Sequence, residues 1–327
     1  MKHRKLIFVG GIIVLMLITV LSIMNGAAKI SFHTVIRALF SYDAANSSHV
    51  VIMTIRLPRI ILSILVGMSF AVAGAIMQGI TQNPLADSGL MGLNSGAGFA
   101  LSICFALFSD IGYGQLIFWA FIGAAASSIL VSGIALSHRG GITPMRMVLA
   151  GAAVNALLTS LSQGIALYFH VSQDVMFWTV GGVAGSDWDQ VYIMLPITVL
   201  SVFGAVLISG SVSVLSMGDE VAKGLGLNVG RTRLMCAILV LLLAGSSVAV
   251  VGAVSFIGLI VPHAARYIVG ADYRSVIPFS AILGAIVFLL ADFGARMINP
   301  PFETPVGSVI ALIGVPFFLY LARKGGR

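Results

Sequence analysis

The chain has 327 residues, of which 18 are basic and 11 acidic, while 59% are hydrophobic and the mean hydropathy is +1.07. A water-soluble domain of this length carries about a quarter charged residues, so the composition excludes water as the main solvent and defines an all-α polytopic membrane protein. The formal net charge of +7 does not mark nucleic-acid binding, because the bases sit in short loops between apolar blocks.

Ten apolar blocks are long enough to cross a bilayer: 6–24, 57–80, 89–108, 114–136, 146–168, 191–209, 234–251, 253–269, 276–294 and 306–322. They form one transmembrane domain over residues 1–327, interrupted by a longer loop at about 211–233. The first run, Leu6 to Met24, is longer than a signal-peptide core, which favours an uncleaved helix over a secretory signal. Between Leu234 and Val269, Gly245, Gly252, Gly258 and Pro262 allow either two short helices or one helix and a re-entrant piece. With ten crossings and both termini cytoplasmic, 13 bases lie inside and five (Lys29, Arg37, Arg56, Arg59 and Arg296) outside, in accord with the positive-inside rule.

Residues 31–40 place Phe32, Val35, Ile36, Leu39 and Phe40 on one face, which predicts an amphipathic helix on the outer interface. Arg56 and Arg59 flank Pro58 at the outer start of the second span, where they either snorkel or pair within the chain, or await an acidic partner. Arg296 is a third such residue, with Asp292 four positions before it as an intrachain partner. Asp292 is also the one acidic residue inside any of the ten spans.

Gly67, Ala71, Ala75 and Gly79 form a four-residue repeat of small side chains, which lets another helix approach closely. Asn83 and Pro84 end the second span at a cytoplasmic corner, where Asp87 or Ser88 can cap the next element. In the fifth span, Asn155, Thr159, Ser160, Ser162 and Gln163 require either interhelical hydrogen bonds or a wet pathway. Cys104 and Cys236 lie in apolar spans with no metal-ligand spacing, as core residues would. After Leu215, the loop S-M-G-D-E-V-A-K-G-L-G predicts a short helix capped by Ser216 or Asp219, with an apolar edge at Val221, Ala222 and Leu225. Such a loop is either a solvated connector or a contact surface for another protein.

No phosphate loop of the G-x-x-x-x-G-K-[ST] type is present, nor a metalloprotease or membrane serine-protease motif. The spans also lack paired carboxylates for proton or sodium coupling, so an externally energised conduit fits better than a secondary carrier. Five runs then carry a family resemblance: R-L-P-R at Arg56 to Arg59, G-x-x-M-Q-x-x-x-x-N-P-L-A from Gly74 to Ala86, G-D-E-x-A-K-x-L-G from Gly218 to Gly226, F-I-G-L-I-V-P-H-x-A-R from Phe256 to Arg266, and G-V-P-F-F-L from Gly314 to Leu319. In this order they resemble the FecCD family, the permease subunits of type II ABC importers for iron siderophores, haem and cobalamin.

The resemblance implies a ten-helix type II ABC importer permease fold in the cytoplasmic membrane. It implies pairing with a second copy or a paralogue, a cytoplasmic ABC ATPase dimer below and an extracytoplasmic substrate-binding protein above, with no catalytic residue, resident metal or cofactor in this chain. It assigns binding-protein docking to Arg56, Arg59 and Arg296, and ATPase coupling to Gly218, Asp219, Glu220, Ala222, Leu225 and Gly226. It also assigns an inner gate to Asn83 and Leu85, with Thr143 in a second constriction. The F-E-T-P-V-G stretch from Phe302 to Gly307 is nearest to the siderophore members. Haem or cobalamin import is the first alternative, and an ATP-independent channel, a secondary carrier or a membrane-embedded enzyme are the others.

Overall fold

A computed structural model describes residues 2–26, 29–108, 110–136, 144–300 and 302–325. Among the described residues every regular element is helical. α1 (Lys2–Met24), α2 (Phe32–Phe40) and α3 (Ser47–Val51) lead into α4 (Leu57–Thr81), which is followed by α5 (Leu93–Leu107), α6 (Tyr113–Leu136), α7 (Pro144–Tyr168), α8 (Ser172–Val180) and α9 (Trp188–Leu215). The second half runs through α10 (Asp219–Gly224), α11 (Val229–Val240), α12 (Ser246–Val251), α13 (Ile257–Val269), α14 (Tyr273–Ile298) and α15 (Val306–Gly325). Seven continuous helical stretches of the described residues are long and apolar enough to span a membrane, and Leu93–Leu107, Ile257–Val269 and Val306–Leu321 are three shorter apolar helices. This is a multi-pass membrane protein.

Two predicted boundaries are corrected. The second span begins at Ser47, because a π-helical turn over Ile52–Arg56 carries the helix from α3 into α4 past Pro58, which has no N–H to offer. In the eighth predicted span, 253–256 are not helical and only Ile257–Val269 is, whereas Val229–Val251 is one continuous apolar stretch containing a π-helical turn at Leu241–Gly245. Phe256 takes φ +71, a left-handed conformation that turns the chain into α13. The glycine-rich stretch thus resolves into one helix of spanning length, Val229–Val251, and one short apolar helix, Ile257–Val269. The helices α3 and α8 have no counterpart in the expected spans.

α4 lies at the centre, buried along nearly its whole length. Its small-residue stripe does what the spacing predicts: a Cβ on Gly67 would sit 2.3 Å from the Gly284 carbonyl oxygen of α14, and one on Gly284 would sit 2.4 Å from the Ala71 Cβ. In lipid, where apolar contact between helices gains nothing over contact with acyl chains, such close backbone approach and dispersion hold the pair together. Two turns further along the same face of α4, a Cβ on Gly74 would fall 2.0 Å from the Gly258 carbonyl oxygen of α13. That crossing is sealed by Gln78, whose Nε2 donates to the carbonyls of Gly258 and Leu259, each at 3.2 Å. Pro262 has no N–H for the Gly258 carbonyl, so Gln78 supplies the donor that the helix lacks.

Cys104 and Cys236 are buried free thiols. α2 forms as predicted, capped by Ser31, with Val35 and Ala38 buried and Phe32, Ile36, Leu39 and Phe40 left exposed.

Candidate functional site

Three groups of the predicted residues form separate clusters. The first stands at the arginine end of the bundle, where α4 begins and α14 finishes. Arg59 donates from Nε and Nη2 to Asp292 at 3.0 and 2.8 Å, and its Nη1 reaches Glu303 at 2.5 Å. Arg296 Nε lies 3.2 Å from the other Asp292 oxygen, and its guanidinium also donates to the Ser22 hydroxyl of α1. Arg56 donates to the Ile23 carbonyl. Both Arg56 and Arg59 are buried, so neither lies along an open rim, and for Arg59 and Arg296 intrachain pairing is the arrangement found. The participation of Glu303 escaped the sequence reading, because 244 residues separate it from Arg59.

The second cluster is the corner after α4. Gln82 takes a left-handed φ of +53 and closes the helix, the Asn83 Oδ1 accepts the Leu85 N–H at 2.9 Å, and the Ala86 N–H bonds back to the Asn83 carbonyl. Of Asp87 and Ser88, the two candidate caps, it is Asp87 whose Oδ1 caps the following 3-10 turn, accepting the Ser88 N–H at 2.7 Å. The same oxygen lies against Gly258, 2.3 Å from where a Cβ would be, and burial pushes the Asp87 carboxyl up from its ordinary value. Asn83 and Leu85 are thus held in a fixed turn, half-buried. Thr143 lies outside the described residues.

The third cluster is α10 with its flanks. Its N-cap is Gly218, at φ +113 and with no side-chain cap bond, rather than Ser216 or Asp219. Asp219 and Glu220 instead occupy the first turn, where negative charge is favoured by the helix dipole. Asp219 pairs with Arg233 of α11 at 2.9 Å, and Ala222 is fully buried beneath the helix. Gly226, at φ +80, turns the chain out again. Glu220 and Val221 are exposed, while Leu225 at 66% and Met217 also at 66% present bare apolar surface. The six predicted residues therefore divide into a foundation (Gly218, Asp219, Ala222, Gly226) and a presented face (Glu220, Leu225).

A link between the last two clusters was not foreseen: the Gln82 Nε2 donates to the carbonyl of Leu215, the last residue of α9, at 3.3 Å. Its side chain had no periodic or motif signal to single it out. The polar residues of α7 also divide. Asn155 accepts from Ser95 at 2.6 Å and Ser162 donates to the Gly98 carbonyl at 3.3 Å, while Thr159, Ser160 and Gln163 remain exposed. Interhelical hydrogen bonding thus accounts for Asn155 and Ser162, while Thr159, Ser160 and Gln163 occupy an adjacent, exposed strip of the same helix.

With this geometry in view, the relatives are informative. The model of the FecCD transport family matches residues 14–324. The iron(3+)-hydroxamate import system permease protein FhuB of Bacillus subtilis (strain 168) is 46% identical over 98% of this chain and 84% of its own length. The Fe(3+)-citrate import system permease protein YfmD of the same organism is 43% identical over 99% of this chain and 96% of its own. Among solved structures, an inward-facing conformation described as a metal-chelate type ABC transporter superposes with a TM-score of 0.84 at 25% identity, covering 98% of this chain and 99% of that one. A buried small-residue crossing, a fixed corner and a short helix with a presented apolar face thus occur in a chain matched almost end to end, and the chain belongs to the FecCD transport family.

Proposed function

We propose that this chain is the permease subunit of an ABC importer that carries ferric siderophores across the cytoplasmic membrane, with both termini in the cytoplasm. The observation that carries the reading is α7. Its span has a mean hydropathy of 1.4, the lowest of the seven, and Thr159, Ser160 and Gln163 stand exposed at mid-span depth. Lipid cannot satisfy the Gln163 side-chain amide, and the Thr159 and Ser160 hydroxyls add polarity to the same strip, so that face belongs against a second permease subunit, along a wet path. The permease relatives named for iron(3+)-hydroxamate and Fe(3+)-citrate import support a ferric chelate as cargo.

In this reading the ends of the bundle have distinct tasks. The exposed Glu220 and Leu225 on α10 receive the ATPase dimer, and the Asp219 pair with Arg233 together with buried Ala222 makes α10 rigid enough to pass on its movement. Asn83 and Leu85 narrow the path on the same side. At the other end, Arg56, Arg59 and Arg296 against Asp292 and Glu303 leave one positive charge in excess, which attracts the acidic surface of a binding protein. No residue of the chain is needed as an iron ligand, since the chelator keeps the metal.

The test is uptake of radiolabelled ferric hydroxamate, ferric citrate and haem into liposomes holding the chain with its ATPase and binding protein. ATP-dependent accumulation of a ferric siderophore is expected. Passage of chelate down its gradient through the chain alone would refute the reading.

A further inference from the structure

The charged side chains at the arginine end are not equally committed. Asp292 is 0% exposed and serves two guanidinium groups at once, through Arg59 and Arg296. Glu303 keeps 43% of its side chain exposed, yet its Oε1 lies 2.5 Å from the Arg59 Nη1. Removing Asp292 from Arg59 would strand buried cations, whereas moving Glu303 away breaks a contact that water already half screens. Arg59 thus has a fixed side, facing Asp292, and an exchangeable side, facing Glu303.

We infer that Glu303 is a built-in stand-in for a partner's carboxylate: on docking, an acidic side chain of the binding protein takes over the Arg59 Nη1 and Glu303 turns out to solvent. The inference rests on the docking role proposed for these arginines. Charge selects the occupant, because the cluster carries three cations and two anions and its one exchangeable site already holds a carboxylate. A second carboxylate delivered on a folded surface brings further contacts with it, and Glu303, on the short segment between α14 and α15, has none to match.

The exchange has a mechanical consequence. Glu303 lies three residues before α15, and α15 is packed further along on the chain that turns into α13, through Gly314 against Phe256 and Phe317 against the His263 ring. Its departure cuts the side-chain tie from α4 to the segment entering α15. Docking is thereby registered at a helix that packs against Phe256 and His263 at α13.

The test measures binding of the substrate-binding protein to the complete transporter in nanodiscs, at low and high salt, for the wild type, Glu303→Gln and Glu303→Ala. Two substitutions are used so that poor assembly of one leaves the other to decide. Wild-type affinity is expected to fall with salt, and loss of the internal competitor is expected to tighten binding by roughly two- to tenfold. Salt-sensitive docking that neither substitution tightens would overturn the exchange while leaving docking at the arginines intact, with the incoming carboxylate placed elsewhere, as on Arg56. Wild-type docking indifferent to salt would overturn the docking role itself, and the exchange with it.

Discussion

Gln82, the residue that closes α4, donates its side-chain amide to the carbonyl of Leu215 at 3.3 Å and so ties the corner carrying Asn83 and Leu85 to the segment that enters α10. This bond joins the proposed gate to the proposed ATPase contact. A neutral hydrogen bond contributes about 0.5 to 1.5 kcal/mol, so Gln82→Leu should lower chelate imported per ATP hydrolysed by roughly two- to tenfold if the tie acts in the coupled step. Simultaneous assay of uptake and phosphate release checks this, and an unchanged ratio would leave the bond a merely local one.

Asp292 is fully buried between two arginines, and breaking a buried pair by removing one partner is far costlier than losing an exposed one. Asp292→Ala should destabilise the folded chain by about 3 to 5 kcal/mol, seen as a large fall in melting temperature in detergent. Glu303→Ala, which removes a half-exposed partner, should cost about 1 kcal/mol or less. Equal losses for the two would contradict the division between fixed and exchangeable contacts.

The crossing of α4 and α14 has no room for a side chain at Gly67, where a Cβ would lie 2.3 Å from the Gly284 carbonyl oxygen. Gly67→Val should cost about 1 to 3 kcal/mol through forced separation of the helices. Gly294→Ala, with nothing within 4 Å of its Cβ position, is the control and should melt like the wild type or slightly above it.

On α10, Leu225→Asp and Glu220→Lys alter the presented face without touching its foundation. Both should abolish or strongly weaken co-purification of the ATPase, or separate ATP hydrolysis from uptake, while the permease remains folded by size-exclusion chromatography. Asp219→Asn should act differently, loosening the tie to Arg233 at a cost of about 1 kcal/mol or less in stability. Normal coupled transport by Leu225→Asp would remove α10 from the energy path.

Burial raises the Asp87 carboxyl above its ordinary value, so the folded chain holds this proton more tightly than the unfolded chain does. Its contribution to stability is therefore full below the ordinary carboxylate range and is lost as pH rises through the raised value. Asp87→Asn keeps a capping side chain without the charge, and should flatten the acidic part of the stability profile. Asp87→Ala loses the cap as well, at about 0.5 to 2 kcal/mol. Thermal melts in detergent from acid to neutral pH distinguish them, and a steeper profile for the Asn variant would contradict this role.

The sequence by itself determined the membrane class, ten apolar elements, the family and the short helix after α9, because hydropathy over a span and motifs of adjacent residues are local properties. It also marked the Gly67 to Gly79 stripe as a close-packing face and narrowed the cap after α4 to Asp87 or Ser88, since each depends on spacing within one helix or one turn. Tertiary structure decided the rest. Whether Arg59 faces a partner or its own chain depends on Asp292 and Glu303, which are brought to it from 233 and 244 residues away. Gln78 acquires its role only where α4 crosses α13, from the Gly258 carbonyl that Pro262 leaves without a donor, and Gln82 acquires its role only where the corner after α4 meets the Leu215 carbonyl at the end of α9. In a bilayer backbone polar groups cannot turn to water, so the pairing of such distant groups is set by the packed bundle and not by any local pattern.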